Sequence, residues 1–179
     1  KGGLAKLLTS MRLAERTQRH LPRDGATRPR ALLWDGGVGT GLRNRGLDLR
    51  AAPPEAWLLQ RPEAVRALHA EFARAGADVL QTNTFGLLRL GWPGPRQSPL
   101  PAELPVLVEA AVRLCREGAA AALEAPPEVI ACLGPSGLRE DPLDDAPGGR
   151  SPAALLEERA ELLAALFAAQ GVQALHLET

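Results

Sequence analysis

The segment Gly76-Ala-Asp-Val-Leu-Gln-Thr-Asn-Thr-Phe-Gly86 leads from the end of a predicted helix into a short apolar strand, which ends in three small polar residues. An abrupt change from apolar to polar residues marks the strand ends where α/β proteins place their binding groups. Thr82, Asn83 and Thr84 cannot be buried without hydrogen-bond partners, so we expect them to face a cavity or a ligand.

Three other predicted strands end in the same way. The strand over 31–34 leads into Asp35-Gly-Gly, the strand over 129–133 into Gly134-Pro-Ser, and the strand over 172–177 into Glu178-Thr179. Helices predicted over 62–75, 104–123 and 152–170 separate the strands. The strands are apolar throughout, which is typical of a parallel sheet covered on both faces. We predict an α/β fold consisting of the first four βα units of a (β/α)₈ TIM barrel with outer helices. An open doubly wound sheet is the alternative.

The composition excludes several classes of protein. The chain has 179 residues, of which 45% are hydrophobic, and its 21 basic and 21 acidic residues balance. This balance predicts no nucleic-acid partner, and no apolar run is long enough to predict a membrane span. Cys115 and Cys132 have the character of reduced thiols, so we expect a cytoplasmic protein. The Arg-rich segment 1–30 reads as an N-terminal extension, with a mitochondrial presequence as the alternative.

In a parallel barrel the four strand ends lie at one rim and point toward a common centre. Carboxylates such as Asp35 and Glu178 can hold an ammonium group. Backbone N–H groups at Gly36 and Gly37, together with hydroxyls, can hold a carboxylate. The sequence therefore favours a zwitterionic, amino-acid ligand.

Several stretches match one family in order and spacing. They are Asp35-Gly-Gly-Val-Gly-Thr40, Pro62-Glu-Ala-Val-Arg-Ala-Leu-His69, Ala75-Gly-Ala-Asp-Val-Leu-Gln-Thr-Asn-Thr-Phe85, Gly134-Pro135 and Glu178-Thr179. On these motifs, residues 31–179 resemble the N-terminal half of the homocysteine S-methyltransferase barrel. That barrel is shared by betaine–homocysteine methyltransferases and the N-terminal module of cobalamin-dependent methionine synthases.

The resemblance implies methyl transfer to the thiol of homocysteine, a step of methionine biosynthesis, with homocysteine and a methyl donor as partners. It also implies zinc, held by three cysteines on later strands that this chain lacks. Cys115 and Cys132 match none of them, so the prediction is no metal ligand, no cofactor and no catalysis for this chain alone. The residues carried over as substrate-binding are Asp35 and Glu178 toward the amino group, Gly36 and Gly37 near the carboxylate, and Thr82, Asn83 and Thr84 lining the pocket.

Alternatives stay open at this point. The chain could be a non-catalytic module that binds an amino acid or a partner protein, or an unrelated barrel enzyme with a metal at Asp35, His176 and Glu178. Asn83 could contact backbone rather than substrate, and Cys132 reads as a small buried hydrophobe. Betaine, S-methylmethionine, S-adenosylmethionine and methylcobalamin all remain as donors. Because half a barrel leaves an unpaired strand edge, we expect the isolated chain to associate with itself or to be poorly soluble.

Overall fold

Short parallel strands alternate with helices along the described part of the chain. The structure is a computed structural model that describes residues 31–89, 101–137 and 152–178. The helices are α1 (Val38–Arg43), α2 (Trp57–Gln60), α3 (Pro62–Arg74), α4 (Leu104–Ala119) and α5 (Pro152–Ala169). The strands are β1 (Val79–Gln81), β2 (Glu128–Leu133) and β3 (Leu175–Leu177), and 3₁₀ helices cover Pro54–Ala56, Phe85–Leu88 and Pro101–Glu103. The predicted extension over 1–30 and the final Thr179 lie outside the described residues.

The three strands form one parallel sheet in the order β1-β2-β3. The predicted strand over 31–34 is present only as a single β-bridge between Trp34 and Val79. Beside this bridge, the carbonyl of Leu33 accepts hydrogen bonds from the backbone N–H groups of Asp78 and Val79. The α/β class and the parallel sheet with helices are confirmed, and they are consistent with part of a barrel. The count of four βα units stays a prediction.

Helices α3 and α4 form because their apolar residues recur at helical spacing. Pro62 occupies the first turn of α3, where its missing N–H costs nothing, and Gly76 follows the helix with a φ of 90° that favours glycine. Helix α4 ends at Ala119, earlier than the predicted 123, since the next backbone bonds are tighter i→i+3 turns such as Ala121 N–H to Gly118 O. In the described ranges no helix has both the length and the hydropathy to cross a membrane.

Helix α1 was not predicted from the sequence, and the last strand is shorter than predicted. The glycine-rich segment after Asp35 contains helix α1, because burial of Leu42 outweighs the poor helix propensity of glycine. The last strand begins at Leu175 instead of 172. Val172 lies in the turn that ends α5, where its N–H donates to the carbonyl of Phe167 and Gly171 adopts a φ of 70°.

The two faces of the sheet have different roles. Leu80, Ala131 and Leu133 point to one face and are buried in the clusters formed with the helices. Val79, Ile130 and Ala174 point to the other face, where they form a small apolar layer of their own. Since side chains alternate along a strand, the residues two positions after this layer extend the same inner face toward the strand ends.

Candidate functional site

The inner face becomes polar one layer above Val79, Ile130 and Ala174. Gln81, Cys132 and His176 each lie two residues after a member of that apolar layer, and Glu178 follows after two more. All four side chains line one cavity at the carboxyl ends of the strands, with a volume of about 670 Å³. We call this the strand-end cavity. Strand register therefore decides which polar residues face it.

The strand-end cavity brings together most of the residues that the sequence predicted for substrate binding. The predicted residues that line it are Asp35, Gly36, Gly37, Thr82, Asn83 and Glu178. Asp35, Asn83 and Glu178 thus share one cavity, although Asp35 and Glu178 lie near opposite ends of the described chain. Their role in binding substrate stays a prediction.

Asp35 is fixed by the end of β1. One carboxylate oxygen accepts a hydrogen bond from the backbone N–H of Gln81 at 2.8 Å, and the other accepts from the side-chain amide of Gln81 at 3.2 Å. Burial raises the pKa of Asp35 to about 6, the Gln81 hydrogen bonds oppose that rise, and the charge of Glu178 adds to it. Asp35 is therefore an oriented carboxylate that is ionised above that pH.

Thr82 and Thr84 are buried and hold neighbouring strand ends together. The Thr84 hydroxyl donates to the carbonyl of Cys132 at 2.8 Å, and the two threonine hydroxyls are 2.7 Å apart. Thr84 is fully buried and, in the described part of the chain, does not line the strand-end cavity. Sequence reasoning placed its hydroxyl toward the pocket, whereas the structure turns it to the backbone of β2.

Asn83 lines the cavity but its amide is already engaged. The Nδ2 group donates to the carbonyl of Pro54 at 2.8 Å. Of the two roles left open by the sequence, the backbone bond is the one that the described contacts show. This bond anchors the segment before α2 at the mouth of the cavity.

Gln81 links Asp35 to His176. Its side-chain N–H₂ donates to Asp35, so its carbonyl oxygen faces the other way and lies 2.7 Å from His176 Nδ1. The His176 ring also packs edge-to-face with Trp34, with the ring centroids 5.2 Å apart. Asp35, Gln81 and His176 thus form one connected chain across the floor of the cavity.

Cys132, His176 and Glu178 form a cluster of three possible ligands. One donor atom from each lies within 4.8 Å of the others. The Cys132 thiol lies 3.7 Å from a Glu178 carboxylate oxygen. Burial, together with the charge of Glu178, raises the pKa of Cys132 to about 12. Without a cation this thiol stays protonated at neutral pH.

Comparison with known proteins gives a family match over most of the chain. The homocysteine S-methyltransferase profile matches residues 32–179. The chain belongs to the homocysteine S-methyltransferase family. The resemblance inferred from the motifs is therefore confirmed.

Curated relatives are similar in sequence, and a solved structure is similar in fold. The chain is similar to betaine–homocysteine S-methyltransferase 1 of Xenopus tropicalis, with 52% identity over 56 residues, and to that of Bos taurus, with 50% identity over 56 residues. Each match covers 30% of this chain and 13% of the relative. The metallated homocysteine methyltransferase MmuM of Escherichia coli shares the fold, with a TM-score of 0.64 at 22% identity over 83% of this chain. The chain spans about half, 54%, of that structure.

The donors of the cluster fit the zinc ion that family resemblance implies. Zinc takes thiolate sulfur, imidazole nitrogen and carboxylate oxygen, and Cys132, His176 and Glu178 offer one of each. Sequence reasoning predicted no metal ligand here, and its alternative metal set named Asp35 in place of Cys132. Within the described residues, Asp35 is tied to Gln81 while Cys132 completes the cluster. Cys115 points to the other face of the sheet, where it is buried with Leu80.

Gln81 and Glu55 line the strand-end cavity and were missed by sequence reasoning. Gln81 is the last residue of an apolar strand, and its polarity there was a signal that could have been used. Glu55 is buried in the cavity wall, where its carboxylate accepts a hydrogen bond from Gly86 N–H at 2.5 Å, and burial raises its pKa. It follows two prolines in a connecting segment, and no periodic pattern marks it.

Proposed function

We propose that the strand-end cavity binds homocysteine, and that the whole protein transfers a methyl group to the homocysteine sulfur to give methionine. The observation that carries this proposal is the meeting of Asp35 and Glu178, two carboxylates from distant parts of the chain, in one cavity of a homocysteine S-methyltransferase family member. A volume of about 670 Å³ lies within the usual range for small-molecule sites, roughly 300–1,000 Å³.

In the proposed complex, the ammonium group of homocysteine lies between Asp35 and Glu178. Gln81 holds the Asp35 carboxylate in place from two sides, so little orientational freedom is lost when the ammonium group binds. Gly36 and Gly37 allow the substrate carboxylate or carbon chain to approach the backbone, because neither has a side chain. The thiol would then extend toward Cys132 and His176.

Methyl transfer forms one S–CH₃ bond and breaks the bond between the methyl group and its donor, while the thiol proton leaves. A thiolate is the nucleophile, so the proton must be lost before or during the step. Zinc, when bound, supplies stabilisation of that thiolate. The residues of this chain would position the amino acid. Betaine, S-methylmethionine, S-adenosylmethionine and methylcobalamin remain candidate methyl donors.

We also propose that residues 31–179 form the first half of a (β/α)₈ barrel. Three parallel strands with a polar inner face at their carboxyl ends support this arrangement. So does the fold shared with about half of the Escherichia coli enzyme.

The binding step is tested by calorimetry on the metal-free 179-residue chain with homocysteine and with 4-mercaptobutyrate, which has the same thiol and carboxylate but no amino group. We expect Asp35→Asn and Glu178→Gln each to weaken homocysteine binding by about tenfold, the cost of one charge-assisted hydrogen bond. Both variants should leave 4-mercaptobutyrate binding nearly unchanged, because that ligand has no ammonium group.

Glu109→Gln is the matched control, since Glu109 is an exposed carboxylate on α4 that does not line the cavity. Equal losses for both ligands, or no detectable homocysteine binding, would overturn the proposed site. Methionine formation by the full-length protein tests the transfer step. Binding without transfer would favour the non-catalytic module.

A further inference from the structure

Three side chains of different chemistry converge on β2 and the end of β3. We propose that Cys132, His176 and Glu178 form a transition-metal site, with Zn²⁺ as the expected ion. This ligand set differs from the three later cysteines that family resemblance implies. The inference does not depend on homocysteine binding, because it concerns only residues of this chain and a metal ion.

Strand register creates the cluster. Cys132 on β2 is the direct partner of His176 on β3, and Glu178 lies two residues further on the same face. The backbone N–H of Glu178 donates to Leu133 O at 2.9 Å, which ties the segment carrying Glu178 to β2. Two ligands thus lie on paired strands and the third directly follows β3, and such elements position ligands better than free loops do.

The distances are close to those of a tetrahedral site. With metal–ligand bonds of about 2.0–2.3 Å, two ligands of one zinc ion lie roughly 3.3–3.7 Å apart. The Cys132 sulfur and the Glu178 oxygen are already 3.7 Å apart, and the largest separation in the cluster is under 4.8 Å. Small side-chain rotations would close the remaining gap, and the side chain of Glu178 is exposed.

The surroundings of His176 prepare its ring for a metal. Asp35 accepts both hydrogen bonds from Gln81, and this fixes the Gln81 carbonyl oxygen toward His176 Nδ1 at 2.7 Å. Because the Gln81 carbonyl oxygen accepts a hydrogen bond, the proton of the His176 ring lies on Nδ1. The lone pair of Nε2 is then available to a metal ion. Histidines that bind metals commonly have such an outer hydrogen-bond partner, which fixes the tautomer and orients the ring.

The charge of the cavity also favours a cation. Among the described residues that line it, Asp35, Glu55 and Glu178 are acidic, whereas Arg89 is the basic one. A thiolate together with an imidazole selects zinc or a similar transition metal over Mg²⁺ and Ca²⁺, which prefer oxygen ligands. Three protein ligands leave a fourth position, and since all three line the cavity, that position would open into it.

The test is a Co²⁺ titration of the chelator-treated 179-residue chain, without amino acid. A thiolate bound to Co²⁺ gives a near-ultraviolet charge-transfer band, and tetrahedral Co²⁺ gives visible bands. We expect both bands to saturate at one ion per chain and to disappear when Zn²⁺ displaces Co²⁺. Elemental analysis of the zinc form gives the stoichiometry independently.

Matched cysteine variants assign the sulfur. Cys132→Ala should abolish the charge-transfer band, whereas Cys115→Ala should keep it, because Cys115 is buried on the other face of the sheet. Glu178→Gln changes an exposed side chain and should leave the fold intact while weakening Co²⁺ binding. Gln81→Leu should weaken binding by roughly 10- to 100-fold and keep the thiolate band, as expected for an outer partner. Far-ultraviolet circular dichroism and urea midpoints check that each variant is folded.

Three results would overturn the site. One is the absence of a saturable Co²⁺ band in the wild-type chain, which would leave Cys132 as a simple hydrogen-bond donor to Glu178. Another is a thiolate band that survives in Cys132→Ala. The third is a loss of binding in Cys115→Ala that matches the loss in Cys132→Ala, since that would mean unspecific thiol binding or unfolding. Homocysteine binding that fails while Co²⁺ binds would leave this inference standing.

Discussion

Asp35 and His69 are two buried ionisable groups in opposite surroundings. Asp35 lies at the strand ends, where burial raises its pKa to about 6 but two hydrogen bonds from Gln81 hold it in place. His69 is a residue of α3 that is buried against α4, and burial alone lowers its pKa to about 4. Neither of its ring nitrogens has a hydrogen-bond partner among the described residues. Polar groups are thus organised by partners at the cavity, whereas His69 is enclosed by packing.

The glycines of the two regions show the same difference. A Cβ at Gly37, beside the cavity, would meet only Thr40 at 3.6 Å, an ordinary contact. A Cβ at Gly118 on α4 would lie 2.4 Å from the Cβ of His69 and 2.9 Å from the backbone nitrogen of Ala70. The α3–α4 contact is therefore limited by volume, while the cavity keeps open space for a ligand.

The largest effect is expected from Gly118→Ala, which removes the close approach of α3 and α4. Alanine favours a helix over glycine by about 1 kcal/mol, but the clash involves backbone atoms of α3 that cannot rotate away. We expect a net loss of about 3 kcal/mol in the free energy of unfolding, or failure to fold. Urea denaturation measures it.

Gly39→Ala on α1 is the control, because its Cβ would meet only the ring of Pro54 at 3.4 Å. Its effect should stay within about 1 kcal/mol. A Gly118→Ala variant as stable as the Gly39→Ala variant would show that the helices can separate freely and that volume does not limit this contact.

His69→Leu isolates the buried histidine. Because the pKa of His69 is about 4 in the folded chain and 6.5 when exposed, the unfolded chain binds the extra proton between these values. The stability of the wild type relative to His69→Leu should therefore rise by up to about 3 kcal/mol as the pH increases from 4 to 7, at about 1.4 kcal/mol per pH unit. Urea midpoints measured across this pH range test the prediction.

Asp35 acts in the opposite direction. Its pKa rises from 3.8 to about 6 on folding, so its contribution to stability is lost as the pH rises through that interval. The contribution of Asp35 cancels when the free energies of unfolding of wild type and His69→Leu are subtracted, since both proteins contain Asp35. A difference that does not change with pH would show that His69 finds a partner or water in the folded chain.

The helices were predictable because their signals are local. Pro62, Gly76 and the apolar spacing between them define α3 within one stretch of sequence. The strand-end position of Asp35, Asn83 and Glu178 was predictable too, because parallel strands place their carboxyl ends at one edge. Helix α1 was missed, since glycine disfavours an isolated helix and only the burial of Leu42 reveals it.

The place of Cys132 in the cluster could not be predicted from the sequence, since it depends on long-range register. Within the apolar stretch of β2, Cys132 looks like another core residue. Its partner Glu178 is 46 positions away, and the Gln81–His176 bond joins residues 95 positions apart. Moving β3 by one residue against β2 would turn His176 to the opposite face. Composition and spacing contain no information on that choice.

The smallest of the expected effects concerns Thr84. At this residue hydrogen bonds, and not close packing, hold the strand-end region together. Thr84→Val keeps the shape of the side chain but removes the hydroxyl that donates to Cys132 O and meets the Thr82 hydroxyl. We expect a loss of about 1–2 kcal/mol in the free energy of unfolding, the cost of a buried hydrogen bond whose acceptor stays in place.

Thr40→Val is the matched control, because Thr40 is exposed on α1 and its replacement should change stability by less than about 0.5 kcal/mol. The loss in Thr84→Val should also shrink in a Thr82→Val background, since the two hydroxyls share one network. Additive losses would mean that the two threonines act separately. The strand ends would then be held by packing, as α3 and α4 are, and the contrast between the two regions would fail.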